Sequence, residues 1–80
     1  MNNRVILFHL EEAAEQLKAT IEGLKTNQNF EKEAYQIEMS HLYHHLNTAW
    51  NGRDCTDQEH LAGANFDKWR KFPNNSELLL

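Results

Sequence analysis

The chain has 80 residues, too few for a two-domain enzyme, and its composition, 40% hydrophobic and 25% charged, is that of a folded globular domain. Twelve acidic residues against eight basic ones give a net charge of −4, which would repel the phosphates of a nucleic acid, so no nucleic-acid partner is expected. One Pro and three Gly are too few turn residues for a β-sandwich or barrel, and long helices are expected instead.

The first predicted helix begins at Asn3, as its N-cap, and runs to about Lys25. Its apolar residues recur at steps of four and three, which is the period of a helix with one buried side. We call this row the first apolar stripe; it consists of Ile6, Leu10, Ala13, Leu17, Ile21 and Leu24. Charged residues lie on the opposite side, so the stripe is expected to face the core, and a polar turn at 26–29 is expected to end the helix.

The second predicted helix begins with Asn29 as its cap and ends near Asn51, where Gly52 is expected to adopt the left-handed conformation that terminates helices. Its expected inward row, the second apolar stripe, consists of Tyr35, Met39, Leu42, Leu46 and Ala49, with Tyr43 and Trp50 at its edge. The short connection predicts that the two helices form an antiparallel hairpin in which the two stripes meet along a dry seam.

A shorter third helix is predicted from about Asp57 to Lys71. It starts with a capping box, in which Thr56 and Glu59 satisfy each other's backbone amides, and Pro73 stops it. Its expected inward residues are Leu61, Ala62, Trp69 and Phe72. Residues 1–73 are thus predicted to form a single helical domain, followed by a tail at 74–80 whose three leucines either dock on a groove or fray.

Glu38, His41 and His45 form the pattern most suggestive of a ligand site. Spacings of three and four place these side chains on adjacent turns of one helix side, from which they could hold a divalent ion such as zinc or iron. His9 or a residue from another subunit would complete the coordination shell. The alternative interpretation is that both histidines are half-buried flank residues whose nitrogens bond water, backbone or Glu38, while His44 projects almost opposite and is expected on the surface.

Cys55 is the only cysteine, so no intrachain disulfide can form. Arg53 and the following helix start could lower its thiol pKa, but no base is evident, and an incidental free thiol is the favoured interpretation. No phosphate loop or nucleophile elbow occurs, so no catalytic residue and no cofactor are assigned. The longest early apolar run, at 5–8, is too short for a signal peptide or a membrane span, and a cytoplasmic protein is expected.

A chain of this size has a thin core, so a second subunit is expected to supplement it. Large rings dominate subunit interfaces as well as cores, and Tyr35, Tyr43 and Trp50 are the predicted contact residues. The sequence therefore predicts an all-α protein, a helical hairpin with a short third helix, that dimerises into a four-helix bundle. It would act as a non-enzymatic interaction or structural module; the alternative is a metal-binding protein or enzyme that uses the Glu38 and histidine pattern.

Overall fold

The fold is helical in the computed structural model, which describes residues 1–27, 29–63 and 65–74. Two long helices, α1 (Asn3–Thr26) and α2 (Lys32–Asn51), are followed by two short ones, α3 (Asp57–Ala62) and α4 (Phe66–Trp69). Helices account for 75% of the described residues, among which there is no strand. α1 and α2 pack against each other, so the predicted helical hairpin is confirmed. Within the described ranges, no helix combines the length and the apolar character needed to cross a membrane.

A side-chain cap marks the start of α1, and a tight turn precedes α2. Asn2, one residue before the predicted cap, accepts a hydrogen bond of 3.4 Å from a backbone N–H of the first turn of α1. α2 begins at Lys32 rather than directly after Asn29. The reason is that the Asn27 side chain accepts a hydrogen bond from the backbone of Asn29, and its carbonyl accepts one from Phe30, which holds this segment in a turn.

The seam between α1 and α2 is partly polar, which contradicts the expected dry contact between the two apolar stripes. The buried residues of α1 are Val5, His9, Ala13 and Thr20. Of the first apolar stripe, only Ala13 is fully buried, whereas its leucines and Ile21 are 43–56% exposed. Because one residue step turns a helix by ~100°, α1 is rolled about its axis by roughly a quarter turn from the predicted orientation.

Hydrogen-bonding partners on α2 explain this orientation of α1. Thr20 donates a hydrogen bond of 2.7 Å to Glu38, and Gln16 donates one of 3.0 Å to the same carboxylate oxygen. Further along the seam, the Nδ1 atoms of His9 and His45 lie 3.0 Å apart. Rolling α1 to bring its leucines inward would break these contacts and leave Glu38 and His45 of α2 facing leucines in the seam, at a cost of about 1–3 kcal/mol for each polar group that is buried without a partner.

α2 contributes both apolar and polar side chains to the interior. Its buried residues are Leu42, Asn47, Thr48 and Ala49. Leu42 and Ala49 belong to the second apolar stripe and are buried as predicted. Tyr35 and Leu46 of the same stripe are exposed by 41% and 40%, and Met39 is half-buried. The second stripe is therefore split between the seam and the solvent.

The unburied parts of the two stripes lie on the same side of the hairpin. Viewed along each helix from its N-terminus, these residues are rotated by roughly 70–90° in the same direction from the side that faces the other helix. Because the two helices run antiparallel, these rotations bring both sets of residues to one side of the hairpin. We call this surface the open apolar face; its members are Leu10, Leu17, Ile21 and Leu24 of α1 and Tyr35, Met39 and Leu46 of α2. α3 packs elsewhere, since His60 contacts His9, whereas Arg70 and Phe72 approach Tyr35 and Met39 at one edge of this face.

The predicted third helix is two helices rather than one. α3 ends after Ala62 because Gly63 adopts a left-handed conformation, with a φ of 65°, that redirects the chain before α4. The capping box of Thr56 and Glu59 at the start of α3 is confirmed. The predicted docking of the tail leucines at 78–80 lies outside the described residues.

Trp69 anchors α4 on the end of α2. It is buried as predicted, whereas the other three residues expected to point inward face solvent; these are Leu61, Ala62 and Phe72. The indole packs on Gly52, where a Cβ would lie 3.2 Å from the Trp69 ring and 3.0 Å from the Thr48 carbonyl oxygen. Gly52 has a φ of −96°, so the predicted left-handed terminator is wrong, and the close approach of Trp69 is what requires glycine here.

Candidate functional site

Three histidines from three helices are in contact, and the buried ring of one of them lies between the other two. His9 of α1 is only 5% exposed, with its Nδ1 3.0 Å from Nδ1 of His45 on α2 and its Nε2 3.1 Å from Nε2 of His60 on α3. A neutral imidazole carries one donor and one acceptor nitrogen. His9 can therefore donate to one neighbour and accept from the other, which satisfies both of its buried nitrogens.

The surroundings of His9 keep its ring neutral near pH 7. Burial, followed by the neighbouring rings of His45 and His60, lowers the pKa of His9 from 6.5 to about 4. The cluster thus joins α1, α2 and α3 around the neutral ring of His9. Protonation of His9 would place a charge in a site from which water is largely excluded.

A second contact joins α2 to the residue that follows α4. Nη2 of Arg70 lies 2.9 Å from Nδ1 and 3.1 Å from Nε2 of His44, and its guanidinium stands 4.8 Å from the ring centre of Phe66. His44 is half-buried, so its expected position on the free surface is wrong. Burial, followed by the charge of Arg70, lowers the pKa of His44 and favours its neutral form.

These groups surround one cleft of about 240 Å³, which we call the histidine cleft. Four of the five histidines line it together with Arg70 and Phe66; they are His9, His41, His44 and His45. No residue that lines the cleft is acidic. The cleft therefore presents imidazole nitrogens and one guanidinium, a donor-rich surface without a lining carboxylate.

The structure brings together only part of the predicted metal site. His41 and His45 both line the histidine cleft, but Glu38 is turned toward α1, where Thr20 and Gln16 donate hydrogen bonds to it. Across the described part of the chain, no group of three His, Cys, Asp or Glu side chains is arranged to hold a metal ion. The site on Glu38, His41 and His45 stays a prediction, and metal binding there would require the Glu38 carboxylate to leave its α1 partners.

The three residues predicted to form a subunit contact have different surroundings. Tyr35 belongs to the open apolar face and is 41% exposed. The ring of Tyr43 is 5.3 Å from that of Phe72, centre to centre, and the guanidinium of Arg53 stands 3.9 Å from the ring of Trp50. The ring of Tyr35 has a neighbour of its own, Phe30, at 6.5 Å from centre to centre, and Tyr43 is equally exposed, at 42%. Tyr35 is thus the member of this set that belongs to the open apolar face, and exposure does not distinguish it from Tyr43.

Cys55 lies in the connection between α2 and α3, where its surroundings make it a poor nucleophile. Partial burial, and then the nearby carboxylates of Glu59 and Asp57, raise the pKa of its thiol above the usual value. A thiol must lose its proton to attack or to bind a metal. The expected effect of Arg53, a lower thiol pKa, is therefore not observed. An unreactive free thiol agrees with the interpretation that the sequence favoured.

The sequence pattern did not reveal all of the residues that complete the cleft. The sequence pointed to His9 as a residue that could join His41 and His45, and the structure places it against His45, but it did not point to His60 or Arg70, which come from other parts of the chain. Their relation to His44 and His45 depends on how those elements pack, and no fixed spacing encodes it. The spacing of four between His9 and Ala13, which lie on the buried side of α1, was less evident in the sequence than the stronger leucine pattern beside it.

Comparison with known proteins found no matching family model, no matching curated protein and no matching solved structure. Function is therefore inferred from two features of the molecule itself, the open apolar face and the histidine cleft.

Proposed function

We propose that the chain is a protein-interaction module that works as a homodimer, in which two hairpins pack through their open apolar faces into a four-helix bundle. The observation that carries this proposal is the row of Leu10, Leu17, Ile21 and Leu24, each 43–56% exposed along one side of α1. A continuous apolar surface of this kind on a folded protein usually marks an interaction site.

The thin interior supports a second copy as the occupant of this face. Among the described residues, five apolar side chains are buried, and two of them are alanines; the five are Val5, Ala13, Leu42, Ala49 and Trp69. A small domain buries too little surface to be robust by itself, and oligomerisation is a common remedy. Covering the open face with another hairpin would add the leucines of α1 to an enlarged core.

The dimensions of the face fit a dimer of two hairpins. α2 has 20 residues, which corresponds to about 30 Å of helix, and two adjacent helices are about 20 Å wide. The face therefore offers roughly 600 Å² per chain and about 1,200 Å² for a pair, the lower end of the range for specific interfaces. A two-fold axis would bring the same leucine row against itself, as in most homodimers.

Sedimentation equilibrium over a wide concentration range tests the proposal. We expect the wild type to be a dimer whose melting temperature rises with concentration, because association stabilises the native state. Leu17→Glu places a charge at the centre of the open face and should give a monomer. Leu61→Glu is the matched control, since Leu61 is 84% exposed on α3 and outside this face, and it should remain dimeric.

A wild type that stays monomeric at the highest concentration, with a melting temperature independent of concentration, would refute the dimer. Retention of the dimer in Leu17→Glu would show that the contact uses another surface. If Leu17→Glu does not fold, the concentration dependence of wild-type melting still decides the question, because that measurement needs no variant.

A further inference from the structure

We propose that the histidine cleft binds an oxyanion of the phosphate class, either free phosphate or the phosphate group of a monoester. The cleft joins Arg70 with the imidazoles of His41, His44 and His45, and no acidic residue lines it. Guanidinium and imidazole N–H groups are the usual ligands of such anions in proteins. None of the residues that line the cleft belongs to the open apolar face.

Arg70 is held in place, and its one ion pair among the described residues is long. Its guanidinium contacts His44 at 2.9 Å and stacks near Phe66, which fixes its orientation. Within the part of the chain that the structure describes, the carboxylate that pairs with it is that of Asp67, 4.0 Å away and fully exposed to solvent, where an ion pair has little strength. Nε of Arg70 is buried and has no hydrogen-bond partner among the described residues. An anion seated against the guanidinium would supply the missing negative charge.

Two histidines can add hydrogen bonds to an anion held by Arg70. His45 uses Nδ1 for its contact with His9, which leaves Nε2 for another partner. His41 lies one helical turn earlier on α2, is exposed, and lines the same cleft. One guanidinium and two imidazoles around a common space form a three-sided set of donors, which suits a tetrahedral anion with several equivalent oxygens.

The same arrangement disfavours a metal ion as the occupant. Both nitrogens of His44 lie within 3.1 Å of Nη2 of Arg70, so a cation bound to this ring would meet a fixed positive charge. A metal also needs ligand atoms that converge on one point, and within the described ranges no such group of three side chains occurs. Anion binding requires neither the displacement of Arg70 nor the release of Glu38 from Thr20.

Titration of the full chain with sodium phosphate, followed by the ring signals of the histidines in NMR spectra, tests this proposal. Sodium chloride at equal ionic strength is the reference, and phenyl phosphate represents the monoester. We expect saturable shifts at His41, His44 and His45 with phosphate but not with chloride. Tighter binding of phenyl phosphate would identify a monoester as the natural ligand, whereas equal or weaker binding would identify free phosphate.

Arg70→Gln should weaken phosphate binding at least tenfold, because it removes the permanent charge of the cleft. Arg4→Gln is the matched control, since it removes one exposed arginine outside the cleft, and it should change the affinity less than twofold. If Arg70→Gln fails to fold, His41→Gln replaces it, because exposed His41 is not needed for packing; it should weaken binding at least threefold.

Shifts that do not saturate, or that chloride reproduces, would overturn the proposal. So would unchanged phosphate affinity in both Arg70→Gln and His41→Gln. A parallel titration with zinc chloride provides the remaining outcome: saturable binding of zinc at these rings, without any effect of phosphate, would mean that the cleft is a metal site.

Discussion

The hydroxyl of Thr20 on α1 donates a hydrogen bond of 2.7 Å to the carboxylate of Glu38 on α2. This bond joins the two long helices at a buried position, and Gln16 donates to the same oxygen from one turn earlier. Thr20 is therefore part of the seam, although its leucine neighbours carry the stronger helical pattern. The bond also commits Glu38 to a structural role, away from His41 and His45.

Removal of the Thr20 hydroxyl should destabilise the hairpin. Thr20→Val keeps the shape of the side chain but takes away one donor to the buried end of Glu38, and we expect a loss of about 1–3 kcal/mol in the free energy of unfolding. Urea denaturation measures it. Thr26→Val is the matched control, because Thr26 is exposed and bonds only within its own helix. Equal losses in the two variants would mean that the Thr20–Glu38 bond contributes nothing specific.

Stability should fall on acidification because of His9. Its pKa is about 4 in the folded chain and near 6.5 when unfolded, so below pH 6.5 the unfolded state binds more protons. Stability is therefore complete above pH 6.5 and is lost as the pH falls toward 4, by up to about 3 kcal/mol.

Denaturation at a series of pH values, together with an NMR titration of the His9 ring, measures this effect. His9→Gln should flatten the pH profile between 6.5 and 4, because it removes the titrating group. A pKa of His9 near 6.5 in the folded state would contradict this expectation, because it would mean that burial against His45 and His60 does not disfavour the charged form of the ring.

Substitution of Gly52 should disturb the packing of Trp69. In Gly52→Ala the new Cβ would lie 3.0 Å from the Thr48 carbonyl and 3.2 Å from the indole, so α4 must shift, at a cost of about 1–3 kcal/mol. Gly63→Ala is the comparison, because its cost comes from a left-handed backbone and nothing lies within 4 Å of its Cβ. Tryptophan fluorescence should change in the first variant and stay unchanged in the second.

Zinc should leave the melting temperature unchanged. A metal held by Glu38, His41 and His45 would have to compete with the two hydrogen bonds from α1 to Glu38, and a ligand stabilises only the state that binds it. Thermal melting of protein without a histidine tag, with and without equimolar zinc, measures this. A rise of several degrees that Glu38→Gln abolishes would show that the predicted metal site exists.

Local signals in the sequence were sufficient for the helices and for several of their ends. The capping box of Thr56 and Glu59 needs only four consecutive residues, and the end of α2 at Asn51 was predicted, although for the wrong reason. The break at Gly63 was missed because the cationic residues that follow it continue to favour a helix end near Lys71. Whether a glycine interrupts a helix depends on what the following residues pack against, and here that is the contact between Trp69 and Gly52.

The sequence by itself determined that α1 and α2 are amphipathic helices joined by a short turn, because propensity, caps and period act within one segment. Only the tertiary structure decided which side of α1 meets α2. The helical period places the leucines of α1 in one row, but it does not determine whether this row packs against the neighbouring helix or against another molecule. The observed side is the one that pairs polar groups distant in sequence, Thr20 with Glu38 and His9 with His45, because a buried polar group without a partner costs free energy, whereas a partly exposed leucine row can still be covered by another molecule.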